Sequence, residues 1–310
     1  MKKDRTGEIG YGLYWVGEAG IPVFVLDGDR PALFDAGFAC MGNIYADEIE
    51  KVLVGRSPAY LFLTHVHFDH CGAVSVLKKR FPSLEIIGSE RARKIIGRPN
   101  ALDLIRQLNL AAAEMIEERV DLSRPSGEFE PFEIHRTVGE GDVIDISSDL
   151  TVQVLETPGH TRDCLSYYIP GLRALISSEA AGIADQTGYI FSEGLVDYGQ
   201  YVRSLERLAR LDVDMLCPGH NFVYTGVDAG NYLRDSLAQS IRFREIVERM
   251  LSEENENAER VKARLKRLEY DGKPAPKQPE PAYLLNLDAR VNAVRRLRSE
   301  SAELLSTASA

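Results

Sequence analysis

Short runs of apolar residues, closed by glycine, proline or acidic residues, recur up to about residue 218 and predict buried β-strands. The first two runs predict a hairpin at 21–28 and 31–37. Further strands are predicted at 59–64, 84–89, 141–146, 150–158, 164–170, 173–178 and 214–218. Runs such as 21–28 and 59–64 are apolar at most positions, which is typical of buried strands.

Stretches with helical spacing of apolar residues alternate with these strands. They predict helices at 44–54, 72–81, 99–121 and 197–210. The third helix follows the start signal Pro99. Its apolar positions recur at helical spacing and are Leu102, Ile105, Leu108, Ala112, Met115 and Ile116. Strands followed by helices in each half predict an α/β fold, with two sheets packed together and helices outside.

From about residue 229 the chain becomes long, charged and helical. The proline-rich segment 271–281 separates two predicted helical stretches, at about 229–270 and 283–306. We therefore predict a sandwich domain over 1–226 and a helical C-terminal extension over 227–310. The apolar faces of the extension are too long to be solvated, so we expect it to pack on the sandwich or to pair two chains as a homodimer.

Composition narrows the class of protein. The 310 residues are 44% hydrophobic and 27% charged, which is typical of a globular protein, and the formal net charge of -10 argues against a nucleic-acid partner. The N-terminal residues carry no apolar run, and no stretch approaches the roughly 20 apolar residues that span a bilayer. The four cysteines lack CxxC spacing, which favours reduced thiols. We expect a cytoplasmic protein without a membrane partner.

The strand at 59–64 ends directly before an HxHxDH segment, formed by His65, His67, Asp69 and His70. Side chains two apart in an extended chain point the same way, so His65 and His67 can address one ion together. Asp69 and His70, after the turn, are free to hold a second ion. Imidazole and carboxylate ligands suit zinc, iron or manganese, and the sequence does not choose among them.

Three further candidate ligands follow predicted strands: His160 in TPGHT, Glu179 in SSEAAG and His220 in CPGHN. Five of the six histidines are thereby placed after strands. A lone histidine is more often an ordinary polar residue than a ligand, but five at strand ends reverse that expectation. His135 stands outside these motifs and is expected to be structural.

These motifs, together with VGEGDVIDI (138–146), resemble the metallo-β-lactamase superfamily over roughly 20–225. The resemblance implies a four-layer αββα sandwich with two divalent metal ions at one edge. It implies that His65, His67 and His160 hold the first ion, and that Asp69, His70 and His220 hold the second. Glu179 would bridge the ions at a position where the family usually has Asp. The longer side chain is expected to alter the distance between the ions or the occupancy of one site.

Within the superfamily, the chain is similar to hydroxyacylglutathione hydrolases and to the bacterial quinolone-signal response thioesterase, which carry helical C-terminal extensions. This similarity implies hydrolysis of a thioester or ester of a small acyl group, with the extension roofing the active site. A hydroxide bridging the two metal ions would be the nucleophile. Asp69, in its catalytic role, would orient this hydroxide.

Other residues near the motifs have predicted supporting roles. Asp35 and Thr64 are expected to bond the ligating imidazoles and to fix their tautomers. No spare histidine is left to activate Cys71 as a thiolate nucleophile, so we expect Cys71 to have only a packing role. Residues that are candidates for lining a small-molecule pocket are Phe68, Asn221 and Tyr224, with Tyr45 and Phe191 as further aromatic candidates.

Three alternatives stay open. A redox enzyme of the same fold, such as an iron-dependent sulfur dioxygenase, would use the same ligands, whereas the diiron reductases typically carry an acidic residue at the position of His67. A regulatory protein that binds partners, with a mainly structural metal site, is compatible with the quinolone-response similarity. A nuclease of the ribonuclease type is disfavoured by the net negative charge of the chain.

Overall fold

The computed structural model describes residues 1–117 and 127–308. The chain forms two compact units. The first unit consists of Met1–Glu156, Asp163–Ser178 and Val213–Ala229. The second unit consists of Thr157–Arg162, Glu179–Asp212 and Gly230–Ala310.

The strands are short, and most belong to the first unit. In chain order they are β1 (Lys2–Lys3), β2 (Gly7–Gly10), β3 (Leu13–Glu18), β4 (Ile21–Leu26), β5 (Ala32–Phe34), β6 (Tyr60–Phe62), β7 (Glu85–Ser89), β8 (Arg136–Val138), β9 (Val143–Ser147), β10 (Leu150–Glu156), β11 (Leu165–Ile169), β12 (Ala174–Ser178), β13 (Ile183–Ala184), β14 (Ile190–Phe191), β15 (Met215–Pro218) and β16 (Val223–Thr225).

The helices lie between the strands and in the C-terminal tail. They are α1 (Gly42–Val52), α2 (Phe68–Cys71), α3 (Val74–Arg80), α4 (Glu90–Ile96), α5 (Pro99–Glu117), α6 (Tyr198–Leu208), α7 (Val227–Glu253), α8 (Ala258–Lys266) and α9 (Glu280–Ala308). A π-helical turn at Arg267–Asp271 follows α8.

Two mixed sheets, each of seven strands, form the first unit. One has the order β2-β3-β4-β5-β6-β7-β8, and the other has the order β1-β16-β15-β12-β11-β10-β9. Strands β5, β6, β7 and β8 run parallel, as do β12 and β15. Parallel neighbours end at the same edge of a sheet, so residues that follow β5 and β6 are brought together although they are far apart in sequence.

Apolar residues of the first unit divide between two cores. Side chains such as Trp15, Phe34, Tyr167 and Ile176 lie between the two sheets. The other face of the first sheet is covered by residues of the helices, including Ile49 and Leu77. Strands buried on both faces need apolar residues at nearly every position, which explains the continuous apolar runs in the sequence.

The second unit is mainly helical. It contains α6, α8, α9 and most of α7, together with the hairpin of β13 and β14. Side chains on α9 pack against α6 and α8. Among the residues that the structure describes, no helix is long and apolar enough to cross a membrane.

The predicted strands and helices are present, with three corrections. The helix predicted at 229–270 is interrupted after Glu253, because Asn255 and Glu256 adopt positive φ and Asn257 then caps α8 by accepting the amide of Arg260. The last helix begins at Glu280, inside the segment predicted as a linker. Met115, predicted to share the apolar face of α5, is 47% exposed. Residues 118–121 of that predicted helix lie outside the described residues.

Candidate metal centre

The HxHxDH segment follows the carboxyl end of β6. The chain stays extended up to His67, which has φ -68 and ψ 152 and precedes the short helix α2. The rings of His65 and His67 lie 4.5 Å apart, in agreement with their two-residue spacing. Helix α2 then turns the chain back, so that the ring of His70 lies 4.4 Å from that of His65.

Asp69, His70 and His220 converge, although His220 is 150 residues away in sequence. One atom from each lies within 4.8 Å of the others. The Nε2 atom of His70 lies 3.8 Å from Oδ2 of Asp69, and Nε2 of His220 lies 3.7 Å from the same oxygen. Two imidazole nitrogens and one carboxylate oxygen at this spacing form a donor set that fits a transition-metal ion.

The second nitrogen of each of these imidazoles is bonded to a fixed acceptor. The Nδ1–H of His70 donates to Oδ2 of Asp35 at 2.8 Å, and that of His220 donates to the carbonyl of Gly20 at 2.7 Å. A proton held on Nδ1 leaves Nε2 with a lone pair. Both rings therefore have the tautomer that a metal ligand requires.

Asp35 is the centre of the polar network beneath the candidate ligands. It accepts hydrogen bonds from the amide and the hydroxyl of Thr64, in addition to the one from His70. The hydroxyl of Thr64 lies 3.1 Å from Nδ1 of His65. Since this hydroxyl donates its proton to Asp35, it accepts from His65. The contacts predicted for Asp35 and Thr64 are thus confirmed.

Three residues at this edge of the first unit have left-handed backbones without being glycine. They are Asp35 (φ 60), Ser178 (φ 48) and Asn221 (φ 67). Asp35 directly follows β5, Ser178 ends β12 directly before Glu179, and Asn221 directly follows His220. Such conformations cost of order 1 kcal/mol or more. The strained backbone conformations therefore lie where the chain changes direction next to the candidate ligands.

His160 and Glu179 belong to the second unit. The Nδ1–H of His160 donates to the carbonyl of Glu193 at 2.9 Å, which again leaves Nε2 with a lone pair. Glu179 begins a 3-10 helix directly after β12 and is 2% exposed. A carboxylate buried to this degree is costly unless it is paired with positive charge or well hydrogen-bonded. Their places in the metal-ligand set stay predictions.

The other singled-out residues divide into accessible and core positions. Phe68 and Asn221 are partly exposed, and Tyr224 is buried on β16. Tyr45 was predicted as a candidate for lining the pocket, but it is fully buried and its hydroxyl donates to the carbonyl of Ile21. Phe191 packs against Tyr189 and Tyr283 in the second unit.

Cys71 and His135 are placed as predicted. Cys71 is buried, and desolvation together with the charges of Asp69 and Asp35 raises the pKa of its thiol well above the ordinary value. It therefore stays protonated and packs. His135 lies outside the ligand cluster, where its Nδ1 accepts the backbone amide of Ile86.

Sequence reasoning missed Asp163, which is buried and orients the ligand segment. Its Oδ2 accepts the amide of Val66 at 3.0 Å, and its carbonyl accepts the hydroxyl of Ser89. Its position three residues after His160 in the TPGHTRDC segment was the available signal. It also missed Glu193, because nothing in the sequence marks a carbonyl acceptor.

Comparison with known proteins finds relatives and similar folds. The chain is 28% identical over 186 residues to a hydroxyacylglutathione hydrolase of Hamiltonella defensa, covering 59% of this chain and 57% of that protein. It is 30% identical over 169 residues to one of Xanthomonas euvesicatoria, covering 54% and 49%. The matched region is thus about half the length of these curated relatives.

Two solved structures share the fold at low sequence identity. A β-lactamase domain protein from Burkholderia ambifaria superposes with a TM-score of 0.68 at 16% identity, covering 96% of this chain and 88% of that one. An archaeal metallo-β-lactamase superfamily protein from Sulfolobus tokodaii gives 0.59 at 18% identity, covering 93% and 99%. The predicted fold class, an α/β sandwich of the metallo-β-lactamase type, is confirmed.

The match to a family model agrees with these findings. The model of the metallo-β-lactamase superfamily matches residues 17–220, which include the HxHxDH segment and His220. With both sheets and the converging ligand atoms at their strand ends, the chain belongs to the metallo-β-lactamase superfamily.

Proposed function

We propose that this chain is a metal-dependent hydrolase that acts on a thioester or ester of a small acyl group. The observation that carries the proposal is the convergence of Asp69 Oδ2, His70 Nε2 and His220 Nε2. The two imidazoles donate their Nδ1 protons to Asp35 and to the carbonyl of Gly20, and their Nε2 atoms face the carboxylate of Asp69.

The proposed ligand set follows the superfamily pattern. It comprises a first group of His65, His67 and His160, a second group of Asp69, His70 and His220, and Glu179 between them. Chain connectivity supports the two members from the second unit. Glu179 directly follows Ser178, whose hydroxyl lies 3.1 Å from that of Thr64. His160 precedes by three residues the aspartate that binds the amide of Val66.

The residues of this chain position the ligands and hold their protons. Asp35 keeps a proton on Nδ1 of His70, and the carbonyl of Gly20 does the same for His220. Two divalent ions, of zinc, iron or manganese, would polarise the scissile carbonyl and lower the pKa of water. Asp69, whose Oδ2 lies near both Nε2 atoms, is the residue that we propose orients the hydroxide.

The substrate class rests on the relatives and on the site. The relatives are named as hydrolases of hydroxyacylglutathione, which is a thioester. Phe68, Asn221 and Tyr224 are the proposed substrate contacts, with a small molecule as the partner and no nucleic acid or membrane. All four cysteines are buried and form no disulfide bond, which is compatible with the proposed cytoplasmic residence. A homodimer stays a prediction.

The test combines metal analysis with a substrate screen on the full chain. Elemental analysis should find about two transition-metal ions per chain. A hydroxyacyl thioester of glutathione and an oxygen ester of the same acid should be hydrolysed, and a lactone and a phosphodiester serve as comparisons. His67→Ala and His220→Ala should each lose metal and hydrolysis together. His135→Gln is the matched control, because this histidine lies outside the ligand set.

Each result decides between the proposal and its alternatives. Unchanged metal content in both ligand variants would overturn the ligand assignment. Iron content with turnover that requires dioxygen would favour a sulfur dioxygenase instead. Metal binding without hydrolysis of any ester would favour a regulatory protein with a structural metal site. The same two measurements on Glu179→Ala test its contribution, since loss of the carboxylate should release at least one ion.

A further inference from the structure

We propose that Asn286 and Arg290, on the tail helix α9, are positioning residues for His160 and act through the buried Glu193. The inference rests on the proposed function in one respect, namely that His160 is a metal ligand. All four residues belong to the second unit. The geometry points to a route by which the C-terminal tail sets the orientation of one ligand.

Glu193 contacts His160 with both its backbone and its side chain. Its carbonyl accepts the Nδ1–H at 2.9 Å, and its Oε2 lies 3.9 Å from the same nitrogen. Both acceptors favour the tautomer with the proton on Nδ1. The position of Glu193 therefore determines whether Nε2 of His160 presents a lone pair.

The loop of Glu193 and the loop of His160 form one packed element. The amides of Val196 and Asp197 both donate to the carbonyl of Gly159. Gly159 has φ 136, and a Cβ there would overlap the backbone of Tyr201 on α6. His160 thus has little freedom to move independently of the 193–197 segment.

Helix α9 reaches this segment with side chains one turn apart. Nδ2 of Asn286 lies 3.5 Å from Oε2 of Glu193. Arg290 is 1% exposed. Burial disfavours its charge, but the carboxylates of Glu269 and Glu193 outweigh this and raise the pKa of Arg290 above its ordinary value. The positive charge of Arg290 in turn attracts the carboxylate of Glu193 toward α9.

The tail also fixes the far end of the segment. The guanidinium of Arg296 donates to the carbonyl of Val196 at 3.0 Å. Arg290 in turn is held by Glu269 at 3.1 Å and lies over the ring of Phe243. Because Arg290 is held rigidly on α9, it can support Glu193. A displacement of a supporting residue would displace the ligand that it orients.

The experiment compares Asn286→Leu, Arg290→Met and Arg290→Lys with the matched control Asn292→Leu. Asn292 is a half-buried asparagine of the same helix, but its amide donates to Asp288. Imidazole ¹⁵N spectra of the chelator-treated full chain report the tautomer of His160, assigned with His160→Gln. Competition with a chelator then gives the dissociation constants for Zn²⁺. Melting temperatures monitor the fold.

In the unmodified chain we expect the Nδ1–H tautomer. Asn286→Leu and Arg290→Met should mix the tautomers and raise one Zn²⁺ dissociation constant about tenfold, at the lower end of the range for partners of ligating histidines. The other constant should stay unchanged. Arg290→Lys keeps the positive charge, so it should change the tautomer and the dissociation constant less than Arg290→Met does. Asn292→Leu should change neither readout.

A single tautomer and unchanged Zn²⁺ affinity in both variants would overturn the inference. So would weaker Zn²⁺ binding with an unaltered tautomer, because the tail would then act by another route. A tautomer change in a chain that never binds metal would overturn the proposed function and leave the positioning of His160 standing. If Arg290→Met fails to fold, the Asn286→Leu result decides alone.

Discussion

Two buried polar centres, one in each unit, differ in what their polar atoms face. In the first unit, Asp35 accepts hydrogen bonds from Thr64 and His70, and the Nε2 atoms of His70 and His220 face Oδ2 of Asp69. In the second unit, Glu269 and Arg290 neutralise each other at 3.1 Å. Aromatic rings surround this pair, and the hydroxyl of Tyr189 donates to Glu269.

The difference teaches how to separate a reactive centre from a structural one. Both centres are buried, and both contain charged groups. In the first centre, Nε2 of His70 and Nε2 of His220 face Oδ2 of Asp69 as candidate metal-ligand atoms. In the second centre, Glu269 and Arg290 form an ion pair with each other. Loss of the first should therefore affect metal binding directly, whereas loss of the second should lower stability and affect metal binding only through Glu193 and His160.

The largest expected effect is on stability, from Glu269→Leu. Removing Glu269 deprives the buried Arg290 of its ion-pair partner, which should lower the free energy of unfolding by about 3–5 kcal/mol. Denaturant titration of the metal-free chain measures this. The double variant Glu269→Leu/Arg290→Met should recover most of the loss, because both charges are gone. Glu300→Leu, at an exposed glutamate of α9, is the control. A double variant as unstable as the single one would contradict the idea of a closed pair.

A smaller effect, but on metal binding, is expected from Asp35→Asn. The amide keeps the size of the side chain but cannot accept all the hydrogen bonds that Asp35 accepts from Thr64 and His70. Metal affinity should weaken about 10–100-fold, as is usual for partners of ligating histidines. Chelator competition measures it, with Asp145→Asn at an exposed position as the control. Unchanged affinity would show that the network only fills space.

The smallest effect is a pH dependence at His135, the histidine outside both centres. Burial and then the charge of Lys78 lower its pKa below the ordinary value of 6.5. Below that value the unfolded chain takes up the proton more readily than the folded chain, so stability is complete above pH 6.5 and falls as the pH drops further. His135→Gln should reduce the slope of stability against pH in this window. Denaturant midpoints at several pH values test this, and an equal slope in both proteins would contradict it.

The first centre could be predicted from the sequence and the second could not. HxHxDH after an apolar run combines a strand end with ligand chemistry, and residues after parallel strands meet at one edge. Glu269 and Arg290 lie in helices rich in charged residues, where an ion pair that forms only on packing leaves no local pattern. The break between α7 and α8 was equally hidden, because Asn255 and Glu256 adopt left-handed conformations usually marked by glycine.

The left-handed backbones beside the candidate ligands restrict which residues can occupy those positions. At Ser178 and Asn221, glycine would relieve strain, and small polar residues that bond locally tolerate it. Valine and isoleucine are branched at Cβ, and their additional Cγ atom would clash with a left-handed backbone. A library diversified at these positions should therefore retain a narrow set of residues, chosen by backbone geometry rather than by chemistry. Position 35 is narrower still, because it must combine that geometry with the carboxylate that holds His70.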